Sequence, residues 1–287
     1  MGYASVFREG LFADQTHLVT GGGSGIGRCI AHELASLGAH VVLIGRNKDK
    51  LDAVRAEIDA VAGASSAYAL DIREEEGVRQ TIEKVVSDRG RIHGLVNNAG
   101  GQFPSPLSAI SKNGFETVVR TNLTGGFLMA RECFNQTMQE HGGAIVNIVA
   151  DMHNGMVGMG HSGAARAGAV NLTKTAAVEW APFGVRVNAV APGWIASSGL
   201  DHYDSSMKPV IQSLRASVPM KRLGTESEVS AGVVYLLSEA AAFVSGVCLQ
   251  IDGAAPLASQ VWKTPEHERS PSFNGFHLAT LPKVLQD

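Results

Sequence analysis

Near its N-terminus the chain reads Thr20-Gly21-Gly22-Gly23-Ser24-Gly25-Ile26-Gly27, and this glycine-rich stretch is its strongest structural signal. It follows the apolar run His17–Thr20, which predicts a short buried strand, and it opens a helical pattern over Ile26–Leu37. Glycines at a strand-to-helix turn let the backbone approach a pyrophosphate closely, and the helix N-terminus offers unpaired N–H groups to the anion. The stretch therefore predicts the phosphate-binding turn of a nucleotide site, formed by Gly21, Ser24, Gly25, Ile26 and Gly27.

The alternation of strand and helix patterns continues to about Asp252. Buried apolar runs predict six further strands, at His40–Ile44, Tyr68–Leu70, Leu95–Asn97, Ala144–Ile148, Val185–Val190 and Val247–Ile251. Helical patterns such as Lys48–Val61 lie between them. Strands that are apolar on both faces and alternate with helices predict a parallel sheet covered by helices on each side. No repeat or linker divides the 287 residues, so we expect one α/β domain with a doubly wound sheet.

Two segments interrupt this alternation. Residues 196–219 are polar and carry Ser197, Ser198 and Gly199, which favours an irregular, mobile lid over a site. Apolar side chains within the lid would suit an acyl or a terpenoid chain, and they are Leu200, Met207, Val210, Ile211 and Leu214. Residues 255–287 contain Pro265, Pro271 and Pro282. We expect them to form an irregular tail packed on the body or on a neighbouring subunit.

The composition is that of an ordinary globular protein. Apolar residues make up 45% of the chain, and 24 basic against 27 acidic residues leave a formal charge of −3. That balance gives no reason to expect nucleic acid as a partner. The sequence shows neither an apolar run of about 18 residues nor a leader pattern, so we expect no membrane span. Three widely spaced cysteines, Cys29, Cys133 and Cys248, favour free thiols and a cytoplasmic protein.

The end of the second predicted strand indicates which dinucleotide binds. An acidic residue there would accept hydrogen bonds from the ribose hydroxyls of NAD, but the chain reads Ile44-Gly45-Arg46-Asn47. The Arg46 guanidinium would instead suit a 2′-phosphate, which favours NADP(H) and leaves NAD(H) possible. Asp71 and Ile72 follow the third predicted strand and would meet the adenine. Asn98, Ala99 and Gly100 follow the fourth predicted strand and would meet the ribose and the nicotinamide.

Taken in order, these motifs resemble those of the short-chain dehydrogenase/reductase family. The matching motifs cover about residues 12–254, and they are Thr20-Gly21-xxx-Gly25-x-Gly27, Asn97-Asn98-Ala99-Gly100, Asn122, Pro192-Gly193 and Asp252-Gly253. The resemblance implies a Rossmann-type domain of seven parallel strands, hydride transfer to or from a nicotinamide, and a homo-oligomer, either a tetramer or a dimer. It also implies cofactor contacts from Pro192, Gly193 and Ile195.

The catalytic residues of that family are missing from their usual positions. Ordinary members use a Ser, a Tyr and a Lys four residues after the Tyr, and the Lys lowers the pKa of the phenol so that it can exchange a proton. The four tyrosines are Tyr3, Tyr68, Tyr203 and Tyr235. No Tyr-x-x-x-Lys exists, because the residues four positions after them are Phe7, Ile72, Met207 and Glu239. Aligning His161–Gly168 on the motif puts Ser162 at the Tyr position and Arg166 at the Lys position. The Ser position falls on Val149 or Ala150.

Loss of the phenol changes which reductions are feasible. Reducing a ketone or an aldehyde forms a strongly basic alkoxide, which needs a proton at once. Reducing a C=C bond conjugated to a thioester forms an enolate, whose delocalised charge can be held by hydrogen bonds alone. Arg166 shares a helix face with Ser162 and could bind the nicotinamide ribose, but it stays charged and cannot shuttle a proton. The segment also resembles that of trans-2-enoyl-CoA reductases, with 2,4-dienoyl-CoA reductases as relatives.

Another residue must then supply the proton. In the dienoyl-CoA reductases the working Tyr can be displaced to the end of the fifth strand, where this chain has Asp151. Burial near Val149 and Met152 would raise the pKa of Asp151 and make it a suitable acid. Asn122 would help to order a water between cofactor and site. The alternative donors are His153, His161 and Tyr203, and no metal-site spacing occurs.

Three functions fit these residues. We favour an NADP(H)-dependent reductase of an enoyl- or dienoyl-CoA-like substrate. The second is a dehydrogenase of a hydrophobic alcohol or aldehyde, such as citronellol or citronellal, that uses an unconventional base. The third is a cofactor-binding subunit that has lost catalysis, although Asn122 and the apolar residues of the lid count against it.

Overall fold

Seven parallel strands form one sheet in the order β3-β2-β1-β4-β5-β6-β7, within the part of the chain that the structure describes. The computed structural model describes residues 2–259, 261 and 264–286. The strands are β1 Thr16–Thr20, β2 His40–Gly45, β3 Ala64–Ala69, β4 Gly94–Asn97, β5 Gly143–Ile148, β6 Val185–Pro192 and β7 Cys248–Ile251. Every neighbouring pair is parallel, which confirms the expectation drawn from the buried apolar runs.

Helices connect the strands and cover both faces of the sheet. They are α1 Gly25–Ser36, α2 Lys48–Asp59, α3 Glu75–Arg89, α4 Lys112–Val119, α5 Gly126–Cys133, α6 Gln139–His141, α7 Gly160–Glu179, α8 Lys208–Ser217 and α9 Glu226–Leu237. Successive strand residues point to opposite faces. Val19 therefore packs in a core with α1, α2 and α9, whereas Leu18 packs in a second core with α3 and α5. The doubly wound α/β fold is confirmed.

A π-helical turn separates α4 from α5. It covers Arg120–Gly125, and a second such turn, Phe134–Met138, joins α5 to α6. π-Helical turns inside α-helices are rare and frequently mark functional sites. Asn122 lies in the first turn, so this residue is displaced from the regular helical ladder at the side of the sheet where the site is expected.

Strand β3 begins four residues before the predicted run Tyr68–Leu70. Its first half is small and polar, with Ser65 and Ser66 between two alanines. It nevertheless pairs with β2 along its whole length, from Ala64 opposite His40 onward. β3 is an edge strand, so backbone pairing rather than burial of side chains defines it, and an apolar pattern does not mark its start.

The predicted lid, residues 196–219, holds more regular structure than expected. Its second half forms α8, preceded by 3₁₀ turns at Ser198–His202 and Ser205–Met207. Ile211 is buried within α8, and Pro209 stands in the first turn, where its missing N–H costs no helical hydrogen bond. The expectation of an irregular segment is wrong for that half, while its role as a lid stays a prediction.

The C-terminal tail packs on the body of its own chain, which was one of the two expected arrangements. The buried ring of Phe276 stacks on Tyr3 with 6.0 Å between ring centroids, and Ala4 N donates to Gly275 O at 2.9 Å. Thr225 Oγ1 donates to Phe273 O at 2.6 Å. Residues 260, 262, 263 and 287 of the predicted tail lie outside the described residues.

Three further features concern the described residues as a set. No helix among them is both long and apolar enough to cross a bilayer. Cys29, Cys133 and Cys248 are free thiols, and the first two are buried. Within the same residues no group of three or more His, Cys, Asp or Glu side chains is placed to hold a metal ion.

Candidate active site

The carboxyl ends of the strands form one edge of the sheet, and most of the predicted site residues lie there. From β1 the chain passes to β2 on one side, whereas β4 lies on the other side of β1. Doubly wound folds bind nucleotides in the crevice that opens where the strand order reverses. Thr20 ends β1 and Asn97 ends β4 at this crevice. The crevice and the loops around it form the candidate active site.

The turn between β1 and α1 requires glycine for two separate reasons. Gly21 and Gly25 have φ values of +67° and +57°, in the left-handed region that side chains disfavour. Gly27 lies in α1, where a β-carbon would stand 2.4 Å from Gly21 O and 2.5 Å from Asn98 Nδ2. The glycine turn is therefore packed directly against the end of β4.

Thr20 joins the glycine turn to the loop after β4. Its buried hydroxyl accepts hydrogen bonds from the backbone N–H groups of Asn98 and Ala99, each at 2.9 Å, and donates to Val96 O at 3.3 Å. The Asn98 side-chain amide donates to Thr20 O at 2.9 Å. Asn98 thus supports the glycine turn, and its contact with a cofactor ribose stays a prediction.

The glycine turn and α1 fit a nucleotide pyrophosphate. Ser24 is the N-cap of α1 and makes no side-chain capping hydrogen bond, so its hydroxyl does not occupy the N–H groups of the first turn. A β-carbon on Gly25 would stand 3.6 Å from Ser198 Oγ and 3.9 Å from Glu226 Oε1. The start of the lid and the start of α9 therefore form a wall beside the glycine turn. The sequence predicts that Gly21, Ser24, Gly25, Ile26 and Gly27 hold the pyrophosphate, and their contacts with a cofactor stay a prediction.

Glu226 is a residue of this wall that the sequence analysis missed. Loss of hydration raises the pKa of its carboxyl to about 7, although Arg28 and the backbone N–H of Ser198 act in the opposite direction. Thr225 and Glu228 form a capping box that identifies the start of α9 in the sequence. Burial of Glu226 against the lid depends on tertiary packing, so no sequence motif indicates it.

Arg46 and Asp71 lie at the end of the crevice expected to hold the adenosine. Arg46 directly follows β2 and is exposed, as a phosphate ligand would be. The Asp71 carboxylate accepts from Arg73 Nε at 2.9 Å, and this contact lowers the pKa of Asp71 to about 2, with a smaller effect from Arg46. Arg73 therefore already holds the carboxylate that was predicted to meet the adenine. Ile72, the next residue, is buried.

Asn122 holds the loop after β4 in place. Gly101 N donates to Asn122 Oδ1 at 2.8 Å, and Asn122 Nδ2 donates to Gly101 O at 2.9 Å. A β-carbon on Gly100 would stand 3.1 Å from Asn122 Oδ1 and 3.2 Å from a terminal nitrogen of Arg166. Both ends of the amide thus bind one backbone residue. The role that the structure gives Asn122 is positional, and the ordering of a water stays a prediction.

Ser162 and Arg166 lie together on α7, as their spacing predicts. Arg166 Nε is 3.4 Å from Ser162 Oγ, and a terminal nitrogen of Arg166 donates to Ile148 O at the end of β5 at 3.0 Å. Burial lowers the pKa of Arg166 to about 10, so the side chain remains a cation at neutral pH. Ser162 is fully buried. The pair therefore presents a fixed positive charge and a hydroxyl where the family places a Lys and a Tyr.

Two more side chains extend this pair into a chain of hydrogen bonds. Ser162 Oγ donates to Gln102 Oε1 at 2.8 Å, and Gln102 Nε2 donates to the Tyr203 hydroxyl at 3.0 Å. Gln102 belongs to no motif in the sequence, and its one signal is its position in the loop that follows the fourth strand. Tyr203 was an alternative donor, and the lid brings its hydroxyl to the site. Arg166, Ser162, Gln102 and Tyr203 are called the hydrogen-bonded chain below.

Asp151 occupies the loop after β5. Burial raises the pKa of its carboxyl, and the negative charge of Asp252 adds to the effect, while a hydrogen bond from the backbone of His153 opposes it. The direction of the shift is the expected one. The Asp151 backbone N–H donates to Pro192 O at 3.1 Å. Its electrostatic partners are thus Asp252 and His153 rather than the members of the hydrogen-bonded chain.

The two histidines considered as donors have different surroundings. His161 directly precedes Ser162, is fully buried and packs edge-on against Phe103 with 4.3 Å between ring centroids. Neither of its ring nitrogens has a hydrogen-bond partner among the described residues. The ring therefore packs as an apolar group would. His153 is exposed in the loop after β5.

The segment after β6 follows the edge of the site. Gly193 N donates to Ile251 O at 2.9 Å, and a β-carbon on Gly193 would stand 2.7 Å from Asp252 Cα, so no larger residue fits there. Ile195 is buried and pairs with Gly224 in an isolated parallel bridge. Pro192, Gly193 and Ile195 thus bring the chain from the sheet to the lid, and their contacts with a cofactor stay predictions.

Comparison with known proteins adds independent information. Residues 21–254 match the family model described as Enoyl-(Acyl carrier protein) reductase. The probable 2,4-dienoyl-CoA reductase of Bacillus subtilis (strain 168) is 36% identical over 240 residues, which are 82% of this chain and 94% of that protein.

Solved structures of similar proteins have names of the same kind, those of dehydrogenases. The citronellol catabolism dehydrogenase of Pseudomonas aeruginosa PAO1 is 60% identical with a TM-score of 0.80, covering 88% of this chain and 99% of that one. A structure from Beutenbergia cavernae, provisionally an NAD(P) dependent gluconate 5-dehydrogenase with NADP at low occupancy, is 34% identical with a TM-score of 0.79. It covers 88% of this chain and 100% of that one.

The match to the family model covers the glycine turn and the strands β2 to β7. The matched region runs from the phosphate-binding turn to the loop after β7 and includes the site described above. The chain therefore belongs to the short-chain dehydrogenase/reductase family of oxidoreductases.

Proposed function

We propose that the protein reduces the C=C bond of an enoyl- or dienoyl-thioester with NADP(H) as its cofactor. The observation that carries the proposal is the pair on α7, where Ser162 and Arg166 stand at the Tyr and Lys positions of the family. Neither side chain readily gives up a proton at neutral pH, but both donate hydrogen bonds. Such a pair suits a reaction whose intermediate anion is delocalised and needs no immediate protonation on oxygen.

In this proposal the residues of the chain bind, orient and stabilise. When bound, the nicotinamide cofactor supplies the hydride. The glycine turn and Arg46 hold its phosphates, and Asn122 fixes the loop at Gly101 that borders the reacting end. Arg166 would bind the nicotinamide ribose and places a partly buried positive charge at the end of β5, which lowers the free energy of an enolate formed nearby.

The relatives support this reaction class and also favour a second candidate. The Bacillus subtilis relative bears the name of a 2,4-dienoyl-CoA reductase, which agrees with thioester reduction. The Pseudomonas aeruginosa structure, at 60% identity, bears the name of a citronellol catabolism dehydrogenase. Oxidation of a hydrophobic acyclic alcohol is therefore the second candidate.

Consumption of NADPH with three substrates separates the candidates. We expect turnover of crotonyl-CoA and of a 2,4-dienoyl-CoA, and no turnover of citronellal or, in the reverse direction with NADP⁺, of citronellol. Turnover of the aldehyde and alcohol alone would assign the second candidate. Tight binding of NADPH without turnover of any of them would indicate a cofactor-binding subunit instead.

The preference for NADP(H) is tested by Arg46→Ala. We expect the Kd for NADPH to rise about 10- to 100-fold, because charge-assisted hydrogen bonds to a phosphate contribute about 1.5–3 kcal/mol. The Kd for NADH should change little, since it lacks the 2′-phosphate. Fluorescence titration of both cofactors measures this, with Arg55→Ala as the control, because Arg55 is a comparably exposed arginine on α2 that pairs with Asp52. Equal losses for both cofactors would contradict the assignment.

The expected homo-oligomer stays a prediction. An apolar cavity opens between α5 and α7, and its lining includes Phe127, Ala130, Leu172 and Ala176. Phe127 and Leu172 are 41% and 39% exposed, which is high for large apolar side chains on neighbouring helices. We place the contact between subunits on this face.

A further inference from the structure

We propose that Tyr203 donates the proton that completes the reduction, and that Gln102 and Ser162 position its hydroxyl. The inference rests on the proposed function, since it assigns a donor for that reaction. The observation behind it is the hydrogen-bonded chain, which links a tyrosine of the lid to the serine that stands where the family has its tyrosine.

The order of donors and acceptors in the hydrogen-bonded chain leaves the hydroxyl proton of Tyr203 available. Arg166 Nε points its N–H at Ser162 Oγ, at 3.4 Å, and Ser162 donates its own proton to Gln102 Oε1 at 2.8 Å. The carbonyl end of the Gln102 amide is thereby occupied, so its NH₂ end faces Tyr203 and donates to the phenol oxygen at 3.0 Å. The phenol oxygen accepts that bond, and its hydrogen remains free for another acceptor.

The same order stabilises the phenol oxygen after the proton has left. A hydrogen bond to an ionised oxygen is stronger than one to a neutral oxygen, so the Gln102 N–H group favours the anionic form. Arg166 and Tyr203 also interact electrostatically. Each hydrogen bond of the chain also polarises the next.

The lid is anchored where it carries Tyr203. Leu200, within the preceding 3₁₀ turn, is buried. The Asp201 carboxylate accepts from Val284 N of the tail at 3.0 Å. These contacts hold the turn from both sides, so the position of the hydroxyl is set by the fold. Tyr203 is half-buried, so it stays open to water on one side.

The proton balance of the reaction is complete with Tyr203. Reduction of a conjugated C=C bond adds one hydride and one proton. The hydride forms a new C–H bond at the carbon distant from the carbonyl, and the electron pair of the double bond moves toward the thioester oxygen to give the enolate. The O–H bond of Tyr203 then breaks and its proton bonds to the enolate carbon. The phenolate left behind takes a proton from water on its open side.

Asp151 is the competing acid. Its raised pKa suits proton donation, but its carboxyl accepts a backbone hydrogen bond from its own loop and faces the charge of Asp252. Asp252 in turn accepts from Ala254 N at 2.8 Å. The geometry therefore connects Tyr203, and not Asp151, to the residues at the family's catalytic positions.

Tyr203→Phe tests the assignment by removing the hydroxyl and keeping the ring. With a thioester substrate we expect kcat to fall about 10²-fold, the size of a general-acid contribution, with a much smaller change in KM. Gln102→Leu should lower kcat by about tenfold, because the phenolate loses one charge-assisted hydrogen bond. Asp151→Asn should lower kcat less than Tyr203→Phe. The matched control is Tyr68→Phe, which removes a hydroxyl that donates to Asp88 near the C-terminal end of α3.

A second measurement needs neither cofactor nor turnover. With 3-fluorotyrosine incorporated throughout the protein, the ¹⁹F resonance missing in Tyr203→Phe identifies Tyr203. We expect this resonance to shift in Gln102→Leu and to stay in place in Tyr68→Phe. An unshifted resonance in Gln102→Leu would show that the Gln102 contact does not exist and would overturn the inference.

The outcomes separate the two proposals. If the wild-type protein reduces thioesters and Tyr203→Phe does so at the same rate, the inference is wrong and the proposed function stands. If Asp151→Asn shows the larger loss, Asp151 is the donor. A wild-type protein that is inactive on every thioester counts against the proposed function itself, and the assignment of its donor falls with it.

Discussion

Gly27→Ala is expected to abolish cofactor binding. The added β-carbon would stand 2.4 Å from Gly21 O and 2.5 Å from Asn98 Nδ2, far inside van der Waals contact. Neither neighbour can move freely, because Gly21 is backbone and the Asn98 amide is bound to Thr20 O. Relief of the clash must displace the glycine turn from the end of β4, and the phosphate-binding cradle is lost with it. We expect the Kd for NADPH to rise more than about 100-fold, and overpacking to lower the free energy of unfolding by about 1–3 kcal/mol.

Calorimetric titration of NADPH and urea unfolding measure the two effects. Gly101→Ala is the matched control for stability, because the same methyl group would meet no atom within 4 Å there. Unchanged affinity in Gly27→Ala would mean that the cofactor does not use this turn. That result would remove the basis of the nucleotide site and of everything proposed from it.

Arg166→Met is expected to lower kcat about 10³-fold. The substitution removes the partly buried positive charge and leaves Ile148 O and Ser162 Oγ without its N–H groups. Loss of a single preorganised donor at a developing anion costs about 10²–10³ in rate, and here the charge is lost as well. The change should appear mainly in kcat, because the interaction with the anion exists only after hydride transfer. Steady-state kinetics with a thioester substrate measures it.

Arg166→Lys separates charge from geometry. A lysine keeps the cation but lacks the planar set of N–H donors that reaches both partners, so partial activity is expected. Arg79→Met, on the exposed face of α3 where Arg79 pairs with Glu76, is the control for removal of an arginine elsewhere. Wild-type rates in Arg166→Met would show that the positive charge takes no part in the reaction.

The site differs from that of ordinary family members in how its polar groups are distributed. There a Tyr and a Lys lie one helical turn apart on the same helix. Here the helix supplies Ser162 and Arg166, the loop after β4 supplies Gln102, and the lid supplies Tyr203. If Tyr203 is the donor, the reaction requires the lid in place, so that proton transfer depends on a segment outside the sheet.

Much of the fold was predictable from the sequence because its signals are local. A buried parallel strand is a short apolar run, and a phosphate-binding turn requires glycines at fixed spacing, so both could be recognised without knowledge of packing. The same reasoning missed the first half of β3, whose Ser65 and Ser66 pair through their backbone, and it missed the helical half of the lid. The missing Tyr-x-x-x-Lys, and with it the question of the proton donor, was also evident from residues alone.

The partners of Ser162 depended on the tertiary structure. Gln102 is 60 residues from Ser162 and 101 residues from Tyr203 in the chain, and no periodicity relates positions so far apart. They meet because parallel strands direct every loop that follows them to one edge of the sheet, where α7 and the lid also arrive. Burial of Glu226 against the glycine turn arises in the same way. Residue types along the chain specify strands, helices and turns, whereas a hydrogen bond between distant side chains exists only once those elements have packed.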